Sequence, residues 1–315
     1  MKYVGLQTQI WKNNLKSTIL LMMFPIVILG LAWLFFYFTR PEYHTISDVN
    51  YTFSGVAPWL IGGVLIWFLI AWYANTSMIR RATGAKPLER RDNKRVYNLV
   101  ENLCIAAGMR TPKINIIEDD SLNAFASGIT DKTYTVTLSR GIINKLSDEE
   151  LEGVIAHELS HIRNKDVRLL IVSIIFVGIF AFLVEIMLRS FFYSSMTRSR
   201  GRGSDKGRGI GMLIALALAV AGFIITSLFR FAISRKREYM ADAGAAQLTK
   251  RPKALASALE KVSQNSRIEA VTRKDVAQLF IDNPKEQKKD LFSFFNGLFA
   301  THPPIEKRIS VLKQF

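Results

Sequence analysis

The sequence has few of the residues that build disulfide-rich, fibrous or disordered chains. A single cysteine, Cys104, excludes a disulfide framework within the chain, and only 19 glycines and 9 prolines among 315 residues exclude collagen-like and low-complexity sequences. Charged residues are also scarce, at 22% against 49% hydrophobic residues, and the mean hydropathy is +0.16. This composition is too apolar for a disordered chain and favours a membrane protein.

Long uncharged stretches are the most prominent feature of the sequence. Residues 17–38 carry no charged side chain and are long enough to cross a hydrocarbon core of about 30 Å as a helix. Residues 49–79 form a second such stretch, with tryptophans and Tyr73 of the kind found at membrane interfaces. Residues 169–184 and 209–229 form another apolar pair. We therefore expect two hydrophobic hairpins, with about four transmembrane helices.

The net charge of +16 is distributed unevenly along the chain. Residues 80–95 are rich in Lys and Arg, so the positive-inside rule places the N-terminus and the chain after Arg80 in the cytoplasm. The loop of residues 189–209 carries six basic residues against Asp205, which conflicts with that rule if the second hairpin crosses the membrane. Whether this hairpin spans the membrane stays open. Its short RGRG tract lacks interleaved aromatic residues and does not favour nucleic-acid binding.

The remaining sequence has the pattern of a small mixed domain. Residues 93–107 predict a helix that ends at a glycine, and residues 113–118 and 133–139 are β-branched, alternating stretches typical of strands. We expect a loop containing Asn123 and Gly128 between these strands. Further helices are expected near residues 236–248 and 252–263.

One helix start is defined by several residues together. Ser147 is followed three positions later by Glu150, the pattern of a capping box, and Leu146 and Leu151 flank it as a hydrophobic staple. An apolar stripe at helical spacing follows.

This helix carries an H-E-x-x-H motif at residues 157–161, which holds two of the four histidines in the chain. At a spacing of four, the imidazoles of His157 and His161 project from one face of the helix and can share one ion, with metal–nitrogen distances of about 2.0–2.1 Å. Glu158 is rotated by about 100° from His157, where it can take a proton from a water activated by the ion. The motif therefore predicts a zinc site with an adjacent base.

A hydrolytic zinc site needs a third protein ligand. His44 lies in the expected external loop, so the best candidate is Glu238, in a helix of small residues. Asp242 lies one turn further on the same face and could accept a hydrogen bond from a liganding histidine. An ordinary surface ion pair explains the Glu238 spacing about equally well.

Four segments, in this order along the chain, resemble the HtpX family of membrane zinc metalloproteases: residues 123–128 (NAFASG), 151–165 (LEGVIAHELSHIRNK), 237–246 (REYMADAGAA) and 301–309 (THPPIEKRI). The resemblance extends to the two hydrophobic hairpins. It implies that His157, His161 and Glu238 bind zinc and that Glu158 is the catalytic base. It also implies a gluzincin-like domain on membrane helices, acting in cytoplasmic quality control of membrane proteins under stress. The related CAAX prenyl proteases share these motifs but have more spans than the four expected here.

Four further residues are candidates for substrate binding. His302 could donate to the oxyanion or help to close the pocket, and Arg308 could pair with an acidic residue near the metal; a turn that caps the C-terminal helix is the alternative for this segment. Asn123 and Ala124, with the strand at 133–139, could form the edge to which substrate backbone pairs, or an edge that is merely packed by its neighbours.

The expected fold is therefore a mostly helical α+β integral membrane protein with a cytoplasmic gluzincin-like protease domain. Its four segments are an N-terminal transmembrane hairpin (1–79), the first part of the catalytic domain (80–166), a second hydrophobic hairpin (167–230) and the second part of the catalytic domain (231–315).

The expected function is zinc-dependent endopeptidase activity, with one Zn²⁺ per chain, in a prokaryotic cytoplasmic membrane. The expected partners are the lipid bilayer and misfolded or damaged membrane proteins, which are cleaved on the cytoplasmic side. Two alternatives remain: a prenyl-protein protease, and a non-enzymatic scaffold whose metal only connects two helices. Glu158 argues against the scaffold, because a structural metal site has no use for an adjacent base.

Overall fold

The computed structural model describes residues 6–39, 45–172, 175, 179–180, 206–231, 236–264 and 303–314. Its helices are α1 (Leu6–Thr39), α2 (Ile46–Thr83), α3 (Lys94–Ala107), α4 (Arg140–Lys145), α5 (Asp148–Arg163), α6 (Lys206–Phe231), α7 (Lys236–Thr249), α8 (Pro252–Gln264) and α9 (Ile305–Leu312), with a further helical segment at 166–172. Its strands are β1 (Lys86–Pro87), β2 (Lys113–Ile117), β3 (Ala124–Ser127) and β4 (Thr135–Ser139).

The chain forms two compact units. One, here called the apolar unit, comprises Lys16–Tyr73 and Val172–Ala232; the other, here called the mixed unit, comprises Met1–Leu15, Ala74–Ile171 and Ile233–Phe315.

Aromatic and aliphatic packing holds the apolar unit together. Phe24, Val172 and Phe180 are buried in its core, and the rings of Phe24 and Phe180 meet edge to face with centroids 5.7 Å apart. The indole N–H of Trp33 in α1 donates to the Asn50 Oδ1 of α2 at 2.8 Å. Such a bond joins two helices without leaving a polar group unsatisfied among apolar neighbours.

One helix among the described residues, α2, is long and apolar enough to cross a membrane. The apolar parts of α1 and α6, Met22–Phe38 and Leu213–Ile225, are shorter. Helix α1 begins well before the predicted stretch at residue 17, because low charge marks where a helix can enter lipid and not where the helix begins. The basic loop of the second hairpin lies largely outside the described residues.

The mixed unit contains a four-stranded sheet in the order β1-β2-β4-β3. Strands β2 and β4 are parallel, and the other two pairs are antiparallel. Both predicted strands are confirmed, but the expectation of a plain loop between them is wrong, since β3 lies there. Of the edge expected from Asn123 and Ala124 with the 133–139 strand, the described sheet has its edge at β3, which begins at Ala124, whereas β4 is flanked by β2 and β3.

These differences have local physical causes. Strand β3 reads Ala-Phe-Ala-Ser, mostly small residues with little strand propensity, and forms because its backbone pairs with β4. Strand β4 begins only at Thr135, since Thr133 closes a turn in which its Oγ1 accepts the N–H groups of Ile129 and Thr130.

The predicted helix at 93–107 is confirmed as α3, which begins after the Asn93 N-cap and ends at the left-handed Gly108. The predicted start of α5 is confirmed as well. Ser147 Oγ accepts the Glu150 N–H at 3.3 Å, and Glu150 Oε2 accepts the Ser147 N–H at 2.9 Å. Glu150 also binds Lys261 Nζ at 2.7 Å, which connects the start of α5 to α8.

Helix α5 is the centre of the mixed unit. It is buried along most of its length and packs against α3, α7, α8 and the β3–β4 side of the sheet. Small residues allow the close approach of its neighbours. A methyl group added at Gly244 in α7 would lie 2.7 Å from Ser160 Oγ, and one added at Gly153 in α5 would lie 3.2 Å from the backbone of Leu255.

This contact predicts that Gly244→Ala pushes α5 and α7 apart. Overpacking of about 1–3 kcal/mol should lower the thermal unfolding midpoint of the purified protein by roughly 3–10 °C, measured in detergent with a fluorescent probe. The Ser160→Ala change removes the hydroxyl in the way, so the double variant should unfold at a higher temperature than the sum of the single effects predicts. Strict additivity of the two changes would contradict this helix contact.

Candidate metal centre

The third and fourth turns of α5 present His157 and His161 on one side of the helix. Their Nε2 atoms lie 3.2 Å apart, and the ring centroids lie 4.7 Å apart. His157 is almost fully buried, with 1% of its side chain exposed, whereas His161 retains 14%. Two Nε2 atoms at this distance face the same small volume.

A carboxylate from α7 completes the cluster. Glu238 Oε2 lies 3.5 Å from His157 Nε2, and Glu238 Oε1 lies 3.5 Å from His161 Nε2. One donor atom from each of the three residues lies within 4.8 Å of the others. Two imidazole nitrogens and a carboxylate oxygen are the ligands of many catalytic zinc sites, so this donor set fits the expected ion.

Asp242 and Arg308 lie behind His157. The Nδ1 of His157 is 2.9 Å from Asp242 Oδ1, which directs Nε2 toward the cluster. The Arg308 guanidinium binds both oxygens of Asp242, with Nε at 2.9 Å and Nη2 at 2.8 Å, and its Nη1 lies 3.4 Å from Glu238 Oε2. Helix α9 thereby contributes to the surroundings of two of the three donors.

The electrostatics of this pocket favour a positive charge at the cluster. Burial and the Arg308 guanidinium lower the pKa of His157, but hydrogen bonds to Asp242 and Glu238 outweigh them and raise that pKa to about 9. Burial raises the pKa of Asp242, but the Arg308 charge and the His157 hydrogen bond outweigh it and lower that pKa to about 2. Asp242 therefore stays ionised behind the histidine, as a cation site requires.

Glu158 lies beside the cluster, with 3% of its surface exposed. Burial raises the pKa of its carboxyl group, and the N–H of Ala126 in β3 hydrogen bonds to it. A buried carboxylate with a raised pKa is suited to accept and return a proton near neutral pH.

Two of the residues expected to bind substrate, Asn123 and Ala124, lie at the start of β3: Ala124 is its first residue and Asn123 directly precedes it. Asn123 is buried, and its Oδ1 accepts the Ala124 N–H at 2.9 Å. Strand β3 is an edge of the sheet that the described residues form, and it lies against α5. The remaining candidate, His302, lies outside the described residues.

Two site residues had not been anticipated from the sequence. Asp166 Oδ2 lies 3.2 Å from His161 Nδ1, and the Arg237 Nη1 donates to the backbone oxygen of Asp166 at 3.3 Å. On an uninterrupted helix Asp166 would lie roughly 140° around the axis from His161. The left-handed residue Lys165, with a φ of 60°, ends that helix and changes the direction of the chain. The only sign of this contact in the sequence is that an acidic residue, Asp166, follows His161 by five positions.

The chain is similar to known proteins both in sequence and in structure. The model of peptidase family M48 matches residues 90–315. A protease HtpX homolog of Bacteroides fragilis is 61% identical and covers all of both chains. Homologs of the same description from Dictyoglomus thermophilum and Listeria innocua are each 41% identical, over 80% and 84% of this chain and 81% and 87% of their own lengths.

Among solved structures, the crystal structure of S. mikatae Ste24p is similar at 19% identity, with a TM-score of 0.49 over 96% of this chain and 66% of that one. The family assignment depends on the sequence relatives, since one is 61% identical over its full length and the family model covers most of the chain. The chain therefore belongs to peptidase family M48 and is a membrane-anchored metalloprotease of the HtpX type.

Proposed function

We propose that the enzyme is a zinc-dependent endopeptidase in which His157, His161 and Glu238 hold the ion and Glu158 is the catalytic base. The observation that carries this proposal is the convergence of three donor atoms from two helices to within 4.8 Å of one another. Asp242, whose carboxylate is bound to Arg308, would fix the tautomer of His157.

The chain's own residues would supply the proton transfers. Bound zinc would act as a Lewis acid on the scissile carbonyl and on the attacking water. Glu158 would take the proton from that water and deliver it to the amine nitrogen as the peptide bond breaks. Burial, which raises the pKa of the Glu158 carboxyl group, favours acceptance of the proton from the water. The charge of Arg308 would stabilise Asp242 and Glu238 throughout.

Strand β3 is the proposed place for an extended polypeptide substrate, which would pair with its edge. The Ala126 N–H holds Glu158 against this strand, so a chain lying along β3 would bring its carbonyl groups beside the base. We propose misfolded or damaged membrane proteins as substrates. Asn123 would shape the start of this strand, and His302 would help to stabilise the oxyanion.

The proposed location is a bacterial cytoplasmic membrane, with several spans and the catalytic residues on the cytoplasmic side. Support comes from the basic segment at the end of α2 and just after it, in which Arg80, Arg81 and Lys86 are exposed. The three HtpX homologs compared above come from bacteria.

The assignment of roles predicts different results for two carboxylates. Glu158→Gln should retain one zinc per chain but lower kcat by about 10²–10⁴-fold, because the ligands remain and the base is lost. Glu238→Ala should lose both zinc and cleavage. Zinc content by atomic emission, together with cleavage of an unfolded membrane protein by the detergent-purified enzyme, measures both effects.

Glu149→Gln is the matched control, since Glu149 lies on the same helix, is half exposed and faces Arg251 at 3.7 Å. This variant should behave as the wild type. If the wild type holds zinc and yet cleaves nothing that the Glu158→Gln variant spares, the metal is structural and the proposal fails. Cleavage restricted to substrates with a C-terminal prenylated cysteine would instead indicate a prenyl-protein protease.

The proposed orientation predicts which positions an impermeant maleimide reaches. In a chain freed of its buried thiol by Cys104→Ala, Lys132→Cys, at an exposed position of the mixed unit, should be labelled only after cells are opened. Glu42→Cys, between α1 and α2, should be labelled in spheroplasts, whose cytoplasmic membrane is intact. The reverse pattern would place the active site outside the cytoplasm.

A further inference from the structure

We propose that Asp166 is a positioning residue that holds His161 in its metal-binding orientation, and that Arg237 holds Asp166. This inference depends on the proposed zinc site, because it assigns to His161 a partner like the one that Asp242 provides for His157. Neither Asp166 nor Arg237 touches the reacting atoms in this account.

The second ring nitrogen of His161, Nδ1, faces the Asp166 carboxylate. Its Nδ1 lies 3.2 Å from Asp166 Oδ2, while its Nε2 faces His157 and Glu238. A carboxylate that accepts the Nδ1 proton fixes the tautomer in which Nε2 carries a lone pair. The Nε2 of His161 is therefore directed toward the donor cluster, as Asp242 directs the Nε2 of His157.

A carboxylate at the buried position of Asp166 is energetically costly. Asp166 is only 4% exposed, and a buried carboxylate is unfavourable unless charges and hydrogen bonds compensate it. Arg237 supplies the charge, with Nη1 at 3.8 Å from Asp166 Oδ1, and the same Nη1 donates to the Asp166 backbone oxygen at 3.3 Å. The hydrogen bond to the carboxylate comes from His161 Nδ1. Arg237 is largely buried itself, and its pKa is lowered by burial.

A turn in the backbone after α5 brings Asp166 to His161. Helix α5 ends at Arg163 with Asn164 as its C-cap, and Lys165 adopts a left-handed conformation with a φ of 60°. This conformation is unfavourable for a residue with a side chain, so its surroundings must compensate it. Lys165 Nζ reaches Asp131 at 3.0 Å and lies 5.3 Å from the centre of the Tyr134 ring. The turn returns the chain toward the last histidine of α5.

His161 needs a hydrogen-bond partner to fix its ring more than His157 does. His157 is enclosed, with 1% of its side chain exposed, whereas 14% of the His161 side chain is exposed. Packing therefore restricts the His161 ring less, and a hydrogen bond has more effect on its orientation. Because Arg237 directly precedes Glu238, the same contacts also connect the end of α5 to the start of α7, which carries the third donor.

The test compares zinc affinity and metal geometry in Asp166→Asn, Asp166→Ala and the wild type, each as the full chain purified in detergent. Zinc dissociation constants come from competition with a chromophoric chelator, and the visible absorption of the Co²⁺-substituted protein reports ligand geometry. We expect Asp166→Ala to bind zinc about 10–100-fold more weakly, with an altered Co²⁺ spectrum. Asp166→Asn should lie between this variant and the wild type, since its amide oxygen still accepts the Nδ1 proton.

Asp148→Asn is the matched control, because it makes the same chemical change at an exposed carboxylate at the start of α5, away from His161, and should leave zinc affinity within about twofold. The near-isosteric Asn variant keeps the test valid if the Ala variant does not fold. Wild-type zinc affinity and an unchanged Co²⁺ spectrum in both Asp166 variants, with only a lower thermal midpoint without metal, would show a purely structural residue and overturn the inference. If the wild type itself binds no zinc, the proposed function fails instead.

Discussion

Two helices of the mixed unit must approach closely before the three candidate donor atoms can meet, and small side chains set that distance. Where α5 and α7 face each other, Gly244 leaves room for the Ser160 hydroxyl, which a methyl group would approach to 2.7 Å. The reach of the side chains is fixed, so Glu238 can come within 3.5 Å of both histidine Nε2 atoms only if the two backbones are this close. The burial of the site and the shape of its pocket both depend on this contact.

The same burial makes the charges around the site expensive, and the structure compensates them in pairs. Asp242 lies between His157 and Arg308, and Asp166 lies between His161 and Arg237. Buried ion pairs of this kind contribute little net stability, because desolvation offsets most of the attraction. Loss of one partner is nevertheless costly, since it leaves the other charge buried and uncompensated. The pairs therefore fix the orientations of the two imidazoles more than they stabilise the fold.

The sequence predicts those parts of the molecule that depend on local spacing. The capping box at Ser147 and the pattern of the helix that follows depend on neighbours within one turn, so both could be predicted. Strand β3 could not, because its small residues become a strand only through pairing with β4. Asp166 was hidden by a single left-handed residue, Lys165, which no helical or strand periodicity reveals. The distance between Glu238 and the histidines is likewise a property of tertiary packing, so spacing favours Glu238 no more than a surface ion pair would, and the family resemblance is what points to it.

The order of the site residues along the chain has a consequence for biosynthesis. The two histidines precede an apolar stretch that includes α6, and Glu238 and Arg308 follow it. A ribosome adds roughly 5–20 residues per second, so a growing chain carries its histidines for several seconds before the third donor exists. In that interval Glu158, the proposed base, has no complete metal site beside it. In the proposed mechanism the peptidase therefore becomes active only when its chain has been completed through Glu238, and an unfinished copy cannot attack the proteins around it.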